Sequence, residues 1–275
     1  MERRSAIKHV GEAADFFHKE TMIRRAVIVC SALLFAASAV RAEPQPFRVS
    51  LVGGDFNGKD WHAGVLIELE PGWKTYWRMP GESGLAPEFT WSPSVPAQVE
   101  VMFPTPARHA DASGETIGYD RQVLLPVTVS GAAQSGLDLT LDLFFGVCKD
   151  ICIPARASSS IQLGPVARDP LGSARVEAAR QALPAPGTAV SSASIITENG
   201  KPVLKLSLAR RLDDIFVETT GPAYFHAPRF SSDGRTAWLA VSNLSDPAKL
   251  EGAGLRLTYV ADGKGYEQTL RIGYD

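Results

Sequence analysis

Leu137-Asp138-Leu139-Thr140-Leu141-Asp142-Leu143-Phe144-Phe145 runs directly into Gly146-Val147-Cys148-Lys149-Asp150-Ile151-Cys152-Ile153-Pro154. Leucines at every second position, separated by Asp and Thr, have the period of a strand with one buried and one solvated face. Two cysteines follow with three residues between them, and a second strand-like run, Ser158 to Leu163, leaves on the far side. Strand, tight connection and returning strand predict a hairpin whose end is flanked by thiols. Working outward, strand-like runs recur at Phe47 to Val52, Gly64 to Leu69, Trp73 to Trp77, Ala97 to Met102 and Val123 to Val129. Turn formers separate them: Gly53-Gly54, Asn57-Gly58, Pro71-Gly72 and Pro80-Gly81. Short strands at this spacing predict an antiparallel, immunoglobulin-like sandwich over residues 45–165.

After Pro170 the pattern changes to LGSARVEAARQAL, in which Leu171, Val176, Ala179 and Leu183 can share a helical face while Arg175, Glu177 and Arg180 point outward. Pro184-Ala185-Pro186-Gly187 and Ser191-Ser192 then break it, so 170–193 reads as a helix and linker. Strand-like runs return at Val203 to Leu208, Ile215 to Thr219, Ala237 to Val241, Leu255 to Val260 and Gln268 to Ile272. The expected fold is therefore all-β: two immunoglobulin-like β-sandwich domains, 45–165 and a smaller 194–275, joined by a short helix and linker.

With 28 Lys+Arg against 30 Asp+Glu and a net charge of -2, the 275-residue chain lacks the basic excess of a nucleic-acid binder and shows no polybasic membrane patch. From Ala26 to Val40 fifteen residues pass without a charge, preceded by Arg24-Arg25 and followed by Arg41-Ala42. That is the layout of a secretory signal peptide. The run is shorter than the roughly 20 residues a spanning helix needs, so cleavage after Ala42 is expected, with no stable membrane span afterwards. Met22 would begin a signal of ordinary length, and Cys30 leaves with it. The exported remainder carries 21 Lys+Arg against 26 Asp+Glu and two cysteines, Cys148 and Cys152.

In an oxidising compartment these neighbouring thiols are expected to spend part of their time as a disulfide. Closing a ring of five residues contributes only about 2 kcal/mol on the loop-entropy relation, against roughly 4 or more for a long loop. A short ring at a strand end suits a bond meant to be opened and closed, because strain and exposure raise its reduction potential. A plain structural hairpin disulfide remains the competing reading. A zinc site is disfavoured, since His62, His109 and His226 stand at no ligand spacing to the pair or to each other; transient copper(I) capture by the dithiol is the less remote metal reading. Nothing local supports a nucleophilic hydrolase with His109 as base. Lys149 favours a thiolate at Cys148 while Asp150 opposes it, so access must decide which sulfur reacts. No cofactor and no resident metal are expected.

Gly72-Trp73-Lys74-Thr75-Tyr76-Trp77-Arg78, Pro80-Gly81-Glu82-Ser83-Gly84-Leu85-Ala86-Pro87, Gly118-Tyr119 with Leu125-Pro126-Val127, and the Gly146 to Pro154 segment together resemble the N-terminal periplasmic domain of thiol:disulfide interchange protein DsbD, in its copper-sensitivity suppressor (ScsB) variant. The resemblance covers roughly 45–165. It implies a periplasmic protein in which Cys148 and Cys152 are a redox pair, taking electrons from a membrane-embedded thiol reductase and passing them to periplasmic thioredoxin-like proteins. By the same resemblance, His109 to Gly114 matches a loop that covers the pair, and Asp111 an acidic position assisting proton transfer. Ala112 and Ser113 stand where the family often carries a shielding aromatic. The chain contains neither the membrane half of that system nor its thioredoxin domain, so a carrier or partner-dependent module is expected. A non-catalytic periplasmic binding or adaptor protein in copper handling, with a structural disulfide, is the reading from another class.

Trp61, Trp73, Tyr76, Trp77 and Trp91 cluster in about thirty residues; they are read as core in preference to a carbohydrate-binding face. Arg78 is read as a surface salt-bridge partner in preference to a stacked cation.

Overall fold

The computed structural model describes residues 45–81, 84–111, 114–166, 169–244 and 246–273. The expected signal segment and its start at Met22, together with Ala112 and Ser113, lie outside them.

Ten strands make the first sandwich: β1 (Phe47–Phe56), β2 (Trp61–Leu69), β3 (Lys74–Tyr76), β4 (Glu88–Pro93), β5 (Gln98–Val101), β6 (Ala107–Asp111), β7 (Gly114–Asp120), β8 (Gln122–Ser130), β9 (Leu137–Cys148) and β10 (Cys152–Leu163). One sheet has the order β1-β2-β8-β5; the other is β10-β9-β3-β7-β6, with β4 also paired to β9. Alternation decides which side chains meet between them. Leu139, Leu141, Leu143 and Phe145 of β9 join Val65, Ile67, Leu125 and Val127 of the opposite sheet in one core, while Asp138 and Asp142 face water. The aromatic cluster is core as expected: Trp61, Tyr76 and Trp77 are buried, and Trp73 and Trp91 pack half-buried against them.

Helix α1 (Pro170–Gln181) begins where Asp169 accepts a hydrogen bond from the Gly172 N–H at 2.9 Å, with Pro170 in the first turn. Its inward face differs from the expected one. Gly172, Val176 and Arg180 form the stripe that meets the first sandwich. Val176 packs on Val52 and Leu66, and Arg180 donates to Thr128 Oγ1 at 3.1 Å, whereas Leu171 is exposed. Gly172 sets this: a Cβ there would fall 2.8 Å from the Gly53 carbonyl oxygen, so only glycine lets the helix approach so closely.

The second sandwich holds β11 (Ala185–Pro186), β12 (Val190–Glu198), β13 (Lys201–Leu208), β14 (Asp214–Thr219), β15 (Tyr224–Phe225), β16 (Arg229–Phe230), β17 (Thr236–Ser242), β18 (Gly254–Ala261) and β19 (Lys264–Arg271). Its sheets are β11-β19-β18-β14 and β12-β13-β17-β15, with β16 on β17. Much of the expected linker is strand, because β11 adds in parallel to β19 and β12 pairs with β13. Strand β14 faces both ways: Ile215 and Val217 enter the second core, and Phe216 between them enters the first. The two sandwiches thus share a buried face, and residues 46–275 form one compact unit.

Candidate functional site

The hairpin of β9 and β10 places Cys148 directly opposite Cys152, with Lys149-Asp150-Ile151 as the connection. The sulfurs are bonded, and the Cα atoms lie 4.0 Å apart, a little under the usual span of roughly 4.4 to 6.8 Å because the residues are directly opposed. The two cysteines differ in access. Strand β9 is flanked by β3, where Lys74 pairs with Cys148, and Cys148 is 1% exposed. Strand β10 is the sheet edge, and Cys152 is exposed. Ile151 and Ile153, at 74% and 39% exposure, leave apolar surface on either side of that sulfur.

The Tyr76 hydroxyl donates to Cys152 Sγ at 3.0 Å. Its ring is itself buried, held between two glycines: a Cβ on Gly146 would come within 2.5 Å of a Tyr76 ring carbon, and one on Gly84 within 2.8 Å. One residue earlier, Thr75 Oγ1 donates to the Gly146 carbonyl at 2.9 Å and ties β3 to β9 beside the disulfide. A hydroxyl aimed at sulfur hydrogen-bonds best to the charged thiolate, so it lowers the cost of forming that thiolate at Cys152. The sequence placed Tyr76 correctly in the core and missed this second role. Its only signal was the pair of distant glycines, which means nothing until the fold brings them to one ring.

The other expected site residues lie apart from the sulfurs. His109 and Asp111 are on β6 and Gly114 begins β7, at the far end of the sheet from β10. Strands β3 and β7 intervene between β9 and β6, a separation of roughly 14 Å along the sheet at ordinary strand spacing. His62 is bonded to Asn57 and His226 to Ser242, each away from the cysteines. A groove of about 580 Å³, lined by residues such as Glu218, Arg256 and Arg271, belongs to the second sandwich. The disulfide therefore offers its chemistry at a surface.

Arg78 departs from the expected surface pair. Its side chain is only 16% exposed; Nε and Nη2 both donate to Glu218, Nη2 also donates to Glu267 at 2.9 Å, and the guanidinium lies 4.3 Å from the centre of the Trp77 ring. Burial alone would lower its pKa, but the bonds and charges of Glu218 and Glu267 outweigh that and raise it. Arg108 makes a second such crossing, to Glu115 at 2.5 Å and to both oxygens of Asp214. The Tyr224 hydroxyl donates to Glu115; burial first, then that bond, pushes its pKa well above the ordinary tyrosine value.

Residues 37–163 match the family model of the thiol:disulfide interchange protein DsbD N-terminal domain. Among solved structures, the chain is similar to the N-terminal periplasmic domain of ScsB from Proteus mirabilis, with a TM-score of 0.67 and 23% identity over 86% of this chain and 97% of that one. That likeness extends over both sandwiches and is one of fold. No curated protein matches the sequence significantly. Among the described residues no helix is long and apolar enough to cross a membrane. The part of the chain that carries the Cys148–Cys152 disulfide is thus the part that matches the DsbD N-terminal family of thiol:disulfide interchange domains.

Proposed function

We propose that the protein is a periplasmic thiol–disulfide exchange carrier, exported through a cleaved segment over 1–42, that takes electrons from a membrane-embedded thiol reductase and passes them to thioredoxin-like partners. The observation that carries this reading is the asymmetry of the disulfide: Cys152 is open to a partner with a hydroxyl on its sulfur, while Cys148 is buried. A donor thiolate attacks Cys152 Sγ, the Cys148–Cys152 bond breaks, and Cys148 leaves as a thiolate that takes up a proton. The donor's second thiolate then attacks the donor sulfur of the mixed disulfide and releases Cys152 as a thiolate stabilised by Tyr76. The donor is oxidised to a disulfide, and this protein gains two electrons. Delivery reverses the order: Cys152 attacks the acceptor disulfide and Cys148 resolves the intermediate. Asp111 as proton-transfer group and the 109–114 segment as cover stay a proposal of the family resemblance alone, since β6 stands three strands from β9 in the sheet.

The test is trapping. With Cys148→Ser, an oxidised thioredoxin-like protein is expected to accumulate as a mixed disulfide through Cys152, and with Cys152→Ser it is not. Absence of any adduct, together with a disulfide that thioredoxin-like partners cannot reduce near periplasmic poise, would sink the exchange reading in favour of a structural bond.

A further inference from the structure

The contacts around Cys152 rest on a chain of packing that ends in the second sandwich. Tyr76 lies on β3, and the backbone just beyond that strand carries Trp77 and Arg78. Trp77 is fully buried, with its ring 5.8 Å from that of Phe216, and Arg78 reaches across to Glu218 and Glu267. Behind the Tyr76 ring stands Gly84. The same loop is held at Pro80, whose carbonyl accepts from the Ile117 N–H at 3.3 Å, and at Gly81, where a Cβ would lie 3.1 Å from the Glu115 carbonyl and 3.8 Å from the Tyr224 hydroxyl. Strand β7, which pairs with β3 at Tyr76 and Gly118, carries Glu115, and Glu115 is gripped by Arg108 and Tyr224.

From this we infer that the second sandwich sets the geometry of the disulfide site: Glu218 and Asp214, acting through Arg78 and Arg108, are positioning residues that hold β3, β7, Pro80 and Gly81 so that Tyr76 stays aimed at Cys152. The inference rests on the exchange reading above. Phe216 supplies apolar contact between the two sandwiches. Half-buried, multidentate arginine–carboxylate pairs add little net stability over such contact, but they fix orientation, because each fork is satisfied in one arrangement only. Glu218 pairs with Arg78 and Asp214 with Arg108, so their influence on sulfur chemistry is transmitted through those arginines.

The experiment uses the full chain with both cysteines, comparing wild type with Glu218→Gln, Asp214→Asn and the combined variant. Glu198→Gln serves as control, because it breaks the exposed Arg229 pair elsewhere in the second sandwich. After reduction with dithiothreitol, alkylation of Cys152 by iodoacetamide is followed as a function of pH, alongside thermal unfolding. In the combined variant the alkylation midpoint is expected to rise by about one pH unit, an approximately tenfold loss of thiolate at neutral pH, while Glu198→Gln superposes on wild type. A folded combined variant that melts earlier but keeps the wild-type profile would overturn the inference and leave the arginine pairs purely structural. If the combined variant does not fold, Glu218→Gln alone decides in the same way. Dithiothreitol and iodoacetamide require no biological partner, so failure here is distinct from failure of the trapping test, which alone bears on exchange.

Discussion

Hairpin β18–β19 turns through Asp262-Gly263, both at positive φ, and pairs Ala261 with Lys264 just inside the turn; hairpin β9–β10 turns through Lys149-Asp150-Ile151 and pairs Cys148 with Cys152. An Asp-Gly pair at positive φ is the two-residue connection whose twist matches the flanking strands, and it closes a hairpin with no covalent help. The disulfide is thus an addition the architecture does not need, placed at an edge where one sulfur meets solvent. The flanks reverse the contrast. β18–β19 presents Thr258 and Glu267 to Arg78 and packs Val260 against the first core, whereas β10 leaves Cys152, Ile153 and Pro154 exposed. One hairpin helps to dock the sandwiches, and the other carries the disulfide of the proposed exchange.

The largest effect that would break this division is at sulfur. Cys152→Ala should remove measurable exchange with a thioredoxin-like partner while leaving the circular dichroism of the sheets intact; retained exchange would transfer the reactive role to Cys148. Next comes Arg78→Ala, which strands Glu218, leaves Glu267 with Arg256 alone and should lower stability by about 3 kcal/mol in denaturant unfolding. A loss under 1 kcal/mol would mean that β18–β19 docks by apolar contact alone. Replacing both cysteines by alanine should cost about 2 kcal/mol, the entropy of a five-residue ring, and a much larger cost would restore a stapling role to the β9–β10 disulfide. Tyr76→Phe keeps the buried ring and deletes the hydroxyl, so alkylation of reduced Cys152 at neutral pH should slow about tenfold without a matching loss of stability.

The smallest effect is on acidity and belongs to the docking hairpin. Burial works to raise the Glu267 pKa, but hydrogen bonds and charge from Arg256 and Arg78 outweigh it and hold the carboxyl below its ordinary value of 4.5. Its contribution is therefore complete above about pH 4.5 and is lost as pH falls through the lower folded value. Unfolding measured across that window should show a loss of at most about 1 kcal/mol from this group, absent in Glu267→Gln.

Most strands were legible because their inward residues alternate, with the leucines of β9 the clearest case. Those passed over have weak or polar patterns. Strand β4 alternates only between half-buried and exposed, and β12 carries Ser191-Ser192 just after its first residue, which read as linker. Edge position accounts for β12, which pairs on one side only and can carry serines toward solvent. For the helix, the apolar spacing named Leu171 as inward, but a close approach at Gly172 turned that residue to water. The cysteine pair was legible as a disulfide at a hairpin end because only three residues separate it between two strand-like runs.

The sequence by itself determined the two-sandwich composition, the hairpin at 137–163 and the identity of the sulfur pair, since each depends on residues close together in the chain and on periods of two. Only the tertiary structure decided which sulfur is open, which hydroxyl meets it and where Arg78 and Arg108 go. Those outcomes depend on strand order and on partners such as Cys152 with Tyr76, or Glu218 with Arg78, that lie 76 and 140 residues apart. No local pattern encodes such a meeting; it arises when the sheet places β3 beside β9 and when β14 turns Phe216 into one core and its neighbours into the other.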